Sequence, residues 1–285
     1  MGASRLAWGA FAVAVVVLGL KVAAWWATDS TALLADAAES ALDIVTSLVL
    51  VVVVAEARRP PDREHAWGHG KLEYLSAAVQ GVLLTVTALG VGGGALGRLW
   101  AGAPVLEVEG GIVWSVAATV LNGLVAAVLI RWGRAAGSPA LVADGWHTLS
   151  DVGTTLGGWT GLGLAVATGW WVLDPLVALL VTAHIVWVGV GLVVRSSQPL
   201  LDGGVDVARQ DRVRGRVEEV LAADGDGVLR ELRVRAGNPG IFVEATVEVD
   251  GTRTVSATHA LCDAIEAAVQ DADADAETVV HVEPR

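Results

Sequence analysis

Six apolar runs, at residues 6–27, 31–55, 75–96, 111–130, 140–167 and 170–194, are each long enough to cross about 30 Å of hydrocarbon at roughly 20 residues apiece. Inside a bilayer every backbone N–H and C=O must be satisfied within the segment, so runs of this kind fold as helices. That constraint shapes the rest of the chain. Ten of the 19 basic and 13 of the 31 acidic residues precede Asp202, so most of the formal charge of −12 belongs to the last 84 residues. The chain therefore divides into a membrane domain at 1–200 and a soluble, acidic domain at 201–285. A one-domain soluble enzyme is excluded. So is a nucleic-acid binder, because no basic patch is present to neutralise phosphates. The single Cys262 excludes a disulfide scaffold and a cysteine-based zinc site.

The first run is too long for a cleavable signal peptide, carries Lys21 inside it, and lacks a small-x-small cleavage site. Basic residues flanking the spans set orientation. With both termini inside, Arg5, Arg58, Arg59, Arg63, Lys71, Arg131, Arg134 and Arg195 all fall on the cytoplasmic side. The other side then holds Arg98 and the acidic turn with Glu107 and Glu109. Trp25, Trp26, Trp100, Trp170 and Trp171 lie at the outer span ends, where an interfacial aromatic belt sits.

A short internal repeat carries the chemistry. The segment from Ser30 to Asp43 lies over the segment from Ser138 to Asp151 at a constant offset of 108. Each opens an apolar run, and each has ionisable residues at i, i+3 and i+7: Asp36, Glu39, Asp43 and Asp144, His147, Asp151. That spacing puts each trio on one helical face. A charge at bilayer depth costs about 2.5–3.5 kcal/mol, so such groups are paired, protonated or metal-bound. Asp36 and Asp144, nearest the span ends, can brace the helices as supporting residues. The other four, Glu39, Asp43, His147 and Asp151, offer two ligands four residues apart on each of two helices, the number a tetrahedral site needs.

These residues resemble the cation diffusion facilitator family of divalent-metal/proton antiporters. The likeness rests on paired intramembrane ligands in the second and fifth spans. It rests also on Asp62-Arg-Glu-His65-Ala-Trp-Gly-His69-Gly-Lys71-Leu-Glu73, which is similar to the family loop D-x-x-H-x-x-G-H-G-K-x-E. The resemblance implies a transport site of Glu39, Asp43, His147 and Asp151. It implies a peripheral cytoplasmic metal site of Asp62, His65 and His69, and a charge interlock of Lys71 with Asp202 at the dimer's membrane–cytoplasm boundary. The family usually has Asp or His where Glu39 stands; the extra methylene keeps an oxygen donor and changes its reach, which bears on metal preference. Independently of the family, the glycines flanking His69 favour a chelating loop over a helix, and histidine suits zinc, copper, iron or nickel.

In the last 84 residues, helical spacing at 205–222 precedes strand patterns at 228–235 and 241–249 with a turn at 237–240, then an amphipathic helix at 255–270 and a strand at 277–282. The order is α-β-β-α-β. The fold expected is thus an α-helical membrane protein of six transmembrane helices with a cytoplasmic α+β domain. The resemblance implies that this domain is metallochaperone-like, dimerising and metal-sensing. His259, His281 and Glu283 are its candidate ligands, and Thr246 and Arg230 occupy positions where some members have histidine, which implies a single site or none. Asp271, Asp273 and Asp275 read as a solvated acidic loop, since the rest of a calcium ligand set is missing. His184 has no acidic neighbour one turn away and reads as a packing or hydrogen-bonding residue.

The function expected is proton-coupled efflux of a divalent cation by a homodimer in the bacterial inner membrane, with no permanent cofactor. Three oxygens and one imidazole suit Zn2+ or Fe2+, with Mn2+, Co2+ and Cd2+ also admitted. Two other readings start from the same residues. A membrane metalloenzyme needs an open coordination position and a base such as HExxH supplies; that motif is absent. A non-transporting metal-sensing partner subunit would keep the tail, but it has no use for an intact intramembrane quartet.

Overall fold

The computed structural model describes residues 2–28, 31–102, 112–237 and 240–285. The side chains of residues 24, 27–28, 31–36, 38–39, 42 and 112–115 lie outside that description, Asp36 and Glu39 among them. The chain forms two compact units, residues 1–197 and 198–285.

The first unit is helical. Its elements are α1 (Ala3–Thr28), α2 (Thr31–Glu56), α3 (Lys71–Ala101), α4 (Ile112–Ala135), α5 (Pro139–Thr168) and α6 (Leu173–Leu200), whose last turn crosses into the second unit. Among the described residues, four helices are long and apolar enough to cross a membrane: α1, α3, α4 and α6. Helix α2 and helix α5 are the two that carry the ionisable stripes. Apolar side chains such as Val86 and Leu89 on α3 and Leu180 and Trp187 on α6 point outward, as a lipid-facing surface requires. Trp26, Trp100 and Trp170 are also exposed at helix ends. His184 is exposed with its ring beside Trp187, so it is not packed into the interior.

Small residues let the helices approach. Any Cβ at Gly145 of α5 would meet Ile130 Cγ1 of α4 at 2.7 Å, and one at Gly81 of α3 would meet the Gly189 carbonyl of α6 at 2.9 Å. Without a hydrophobic drive between helices in lipid, such contacts supply much of the association. The start of α1 (Leu6, Ala7, Ala10), the end of α2 (Leu50, Val51, Val54), Leu129 of α4 and the start of α5 (Ala140, Leu141) share one buried cluster. Leu84 and Ala88 of α3 pack with Ile185 and Val188 of α6.

Helix α5 has a defined start. Pro139 occupies its first turn and Ser138 is its N-cap, accepting from the Leu141 N–H. The same hydroxyl donates to Glu73 Oε2 in the first turn of α3. Both residues are buried, Ser138 at 2% and Glu73 at 3% exposure. One side chain thus ends a helix and ties it to its neighbour.

The second unit runs α7 (Val207–Asp224), β1 (Val228–Ala236), β2 (Ile241–Val249), α8 (Val255–Ala272) and β3 (Ala276–Pro284), the α-β-β-α-β order the sequence pattern predicts. The expected turn between the strands is closed by a Gly237 N–H to Gly240 carbonyl bond, with residues 238–239 outside the described ones. The sheet order is β1-β2-β3; β1 and β2 are antiparallel, while β2 and β3 are parallel across the α8 connection. Ile241, Val243, Ala245, Val247 and Val249 alternate inward on β2 against Val213, Val217 and Leu221 of α7 and Leu261, Ile265 and Val269 of α8. The other sheet face is charged, with Arg230 to Glu248 at 2.7 Å and Arg233 to Glu231 at 2.8 Å. Asp273 departs from the solvated loop expected. It caps α8, pairs with Arg209, and has its carboxyl held below the ordinary range by that hydrogen bond.

Candidate metal sites

Helix α5 places Asp144, His147 and Asp151 on one face, and α2 brings Asp43 to meet them. His147 Nε2 stands 3.4 Å from Asp43 Oδ1. One ligand-type atom each from Asp43, His147 and Asp151 lies within 4.8 Å of the others, and all three residues are half-buried. A single cation at about 2.0–2.2 Å from each oxygen or imidazole nitrogen draws its ligand atoms within about 4.4 Å of one another, so a small side-chain adjustment would let one ion bridge all three. The fourth expected ligand, Glu39, and the bracing residue Asp36 lie on α2 with side chains outside the described ones. Asp144 is buried and lines the same cavity, one turn from His147.

Two cavities meet at this cluster. The smaller, about 30 Å³, is lined by Asp43, Asp144, His147 and Asp151 together with Ser40 of α2 and Asn122 of α4. The larger, about 240 Å³, lies among α3, α5 and α6, and its polar lining is Thr87, His147, Ser150, Asp151, Thr154 and Thr155. His147 and Asp151 belong to both. Ser40, Asn122 and the threonine-lined cavity were not anticipated from the sequence. The lone amide at position 122 inside an apolar run was the available signal, because the same cost argument applies to any polar group at that depth.

The loop between α2 and α3 gathers Asp62, His65 and His69 into a second cluster with ligand-type atoms within 4.8 Å. His65 Nδ1 is 3.4 Å from Asp62 Oδ1, and His69 Nε2 is 3.5 Å from Asp62 Oδ2. The two imidazole centroids are 4.3 Å apart. Gly68, at φ +79°, makes the left-handed turn that folds His69 back onto Asp62. Backbone N–H groups of His65 and Glu64 both donate to Asp62 Oδ1, at 2.7 and 2.9 Å. The His65 N–H foremost holds the Asp62 carboxyl below its usual range, with partial desolvation opposing. His69 is 8% exposed, and its Nδ1 has no hydrogen-bond partner among the described residues.

The remaining expected ligands are not gathered within one chain. His281 and Glu283 lie 3.8 Å apart on β3, exposed on the charged sheet face. His259 lies on α8, 3.9 Å from Asp263 and likewise exposed. Among the described residues, none of these joins a cluster of three metal-ligand types. Lys71 begins α3 in the first unit. Asp202, in the second unit, takes φ +55° and accepts from Arg235 at 3.0 Å.

Residues 7–201 match the family model for the cation efflux transmembrane domain, and residues 210–285 match that for the cytoplasmic domain of cation efflux proteins. An uncharacterized transporter of Synechocystis sp. is 35% identical over 95% of this chain and 87% of its own length. The cation-efflux pump FieF of Shewanella oneidensis is 31% identical over 96% of this chain and 91% of its own. FieF of Klebsiella pneumoniae is 31% identical over 99% and 92%. A solved structure of CzrB in its Zn form overlaps 29% of this chain and 91% of that one, at 29% identity and a TM-score of 0.27. With both halves matched and full-length relatives above 30% identity, the chain belongs to the cation efflux, or cation diffusion facilitator, family: it is a multi-pass membrane transporter of cations, not an enzyme.

Proposed function

We propose that the protein exports a divalent transition metal, with Zn2+ or Fe2+ the best-suited cargo, in exchange for protons. The observation that carries this reading is the convergence of Asp43 of α2 with His147 and Asp151 of α5. Glu39, one turn from Asp43 on α2, supplies the fourth ligand. Two carboxylates on α2, one on α5 and a neutral imidazole sum to minus three when empty and minus one with a dication bound. The empty site in a low-dielectric interior therefore favours proton uptake, and metal binding releases those protons. A carrier that alternates between these two loads exchanges one for the other. Asp62, His65 and His69 form a peripheral site that holds metal at the membrane surface. Lys71 and Asp202 are the dimer's charge interlock that the family resemblance implies, and the second unit dimerises the protein, with any metal bound by His259, His281 and Glu283 shared across the dimer. Both termini are cytoplasmic, and the bacterial inner membrane is the location that fits the relatives.

The test is metal uptake into proteoliposomes or inverted vesicles across Zn2+, Fe2+, Mn2+, Co2+ and Cd2+ with an imposed pH gradient. Metal uptake accompanied by proton movement in the opposite direction is expected. Uptake that leaves internal pH unchanged refutes the exchange, and no uptake of any of the five refutes the cargo class.

A further inference from the structure

The larger cavity is lined unevenly. Helices α3 and α6 contribute Leu84, Ala88, Val91 and Ile185, apolar apart from Thr87, whereas α5 contributes His147, Ser150, Asp151, Thr154 and Thr155. The three α5 hydroxyls are oriented alike. Ser150 donates to the Trp146 carbonyl at 2.8 Å, and Thr154 and Thr155 both donate to the Asp151 carbonyl at 2.9 Å. A hydroxyl has one proton and two lone pairs, so with each proton committed to the helix backbone only lone pairs are left for the cavity. Thr160 and Thr168 make the same kind of bond on the exposed face of α5, so the habit itself is ordinary. Particular to the cavity is the gathering of three such oxygens within about one turn of Asp151 and His147. A lining of acceptors and a carboxylate suits a guest that presents only donors. A hydrated cation is such a guest, because its shell waters turn their hydrogens outward. A water molecule takes about 30 Å³, so a six-water shell needs roughly 180 Å³, and the cavity offers about 240 Å³. Among the described residues, α3 and α6 bring no charged group to the cavity that would strip that shell.

We propose that this cavity is a staging site for a hydrated divalent cation, with Ser150, Thr154 and Thr155 accepting hydrogen bonds from its shell waters. The inference rests on the proposed transport of a divalent metal through Asp43, His147 and Asp151. The ion arrives in the larger cavity with its waters in place and is held there through them. His147 and Asp151, which line both cavities, then take the first ligand positions. Bonds from the polarised shell waters are charge-assisted, so the oxygens of α5 contribute measurably to capture without touching the metal.

Hexaamminecobalt(III) is the probe. Its six ammonia ligands present N–H donors much as a water shell presents O–H, and they do not exchange, so the complex fits the staging site but cannot be coordinated by Asp43, His147 and Asp151. Zn2+ uptake by the full chain is measured in proteoliposomes with the complex on both sides of the membrane, and binding of the complex in detergent is measured in parallel by equilibrium dialysis. Competitive inhibition is expected, with none of the complex carried across. Thr154→Val combined with Thr155→Val keeps the shape of each side chain and removes its oxygen. In that variant the inhibition constant should rise about tenfold or more, as loss of two charge-assisted hydrogen bonds implies. Where the valine pair transports too slowly to be inhibited, the dialysis reads the same loss. Thr154→Ser combined with Thr155→Ser keeps both oxygens and should keep the inhibition; a serine pair as insensitive as the valine pair overturns the proposal. Zn2+ uptake that ignores the complex overturns it too, as do inhibition and binding that the valine pair leaves unchanged, and both leave the transport of metal standing. Absence of uptake of all five metals by the unmutated protein overturns the two together.

Discussion

Replacing Ser138 tests how the transport helix is anchored. The side chain has two duties, capping α5 through the Leu141 N–H and donating to Glu73 of α3. Loss of a serine N-cap to alanine costs about 1 kcal/mol. Losing this donor to a buried carboxyl group, with both residues at 2–3% exposure, costs about 1.5–3 kcal/mol, the range for a hydrogen bond to a charged group. Ser138→Ala should therefore destabilise the start of α5 by about 3 kcal/mol, or a little over a hundredfold in its opening equilibrium. Ser138→Gly separates the two duties, because glycine forfeits only a few tenths of a kcal/mol as a cap. Hydrogen exchange of the amides at 141–143, followed by mass spectrometry in nanodiscs, reads the effect. Both variants should lose protection there, with Ser138→Gly retaining most of the Ala defect. His147 and Asp151 ride on the same helix, so transport should fall in the same order. The reasoning fails if Ser138→Gly exchanges within about twofold of the unmutated protein, since the bond to Glu73 would then contribute nothing. It fails equally if Ser138→Ala and Glu73→Ala are additive within about 0.5 kcal/mol, the usual behaviour of independent sites.

Asp43→Ala and Asp151→Ala should each abolish vesicle uptake while the protein still elutes as a folded species, because a dication in lipid tolerates no missing ligand; near-normal uptake in either refutes the site. His69→Ala should lower the metal bound per chain at equilibrium dialysis without removing the tight intramembrane site, whereas loss of all binding would make the loop part of one shared site. Gly145→Val should separate α4 from α5, since the new side chain meets Ile130 where even a Cβ comes within 2.7 Å, and cross-linking between cysteines placed on these helices should drop several-fold. In the second unit, the Arg253 hydrogen bonds foremost hold the Asp224 carboxyl below its ordinary range. A depressed acid contributes stability above its unfolded pKa of about 3.9 and loses it as pH falls through the folded value. Exchange protection of the sheet should therefore hold from pH 7 to 5 and fail below about 4, and Arg253→Ala should move that failure to higher pH.

Much of this was legible because it follows from period and cost. The apolar runs and the α-β-β-α-β pattern are local properties, and the elements form where that periodicity places them. The convergence of Asp43 with His147 and Asp151 could be reasoned to because ionisable groups in hydrocarbon must find one another or a cation. What the sequence did not disclose is non-local and electrically neutral. Ser138 looks like any helix cap until α3 delivers Glu73 to it. Ser40 is one serine among several on α2, and only the packing of the helices makes it and Asn122 walls of one cavity. Asp273 read as solvated because its partner, Arg209, is 64 residues away on another helix. Charge announces itself in one dimension; neutral polar groups acquire meaning from the neighbours that enclose them.

One helix supplies both sides of the site. At about 100° per residue, positions 144, 147, 148 and 151 of α5 share one stripe, while 147, 150, 151, 154 and 155 share another turned slightly around the axis. The stripes overlap at His147 and Asp151, which is why these two line both cavities. Asp43 lines only the smaller one. An ion in the larger cavity can therefore engage His147 and Asp151 while its remaining positions are filled by water and by the Thr87, Ser150, Thr154 and Thr155 hydroxyls. Moving toward α2 replaces water by Asp43 and leaves the two α5 ligands in place. In the proposed transport reading, coordination would be exchanged ligand by ligand, with no state in which the dication is bare in a medium where desolvation costs several kcal/mol per charge. An ion passing from the larger cavity to the smaller would shed water between about 240 Å³ and about 30 Å³ of space. Ions that dehydrate reluctantly would be held back at such a step even where the ligand set suits them.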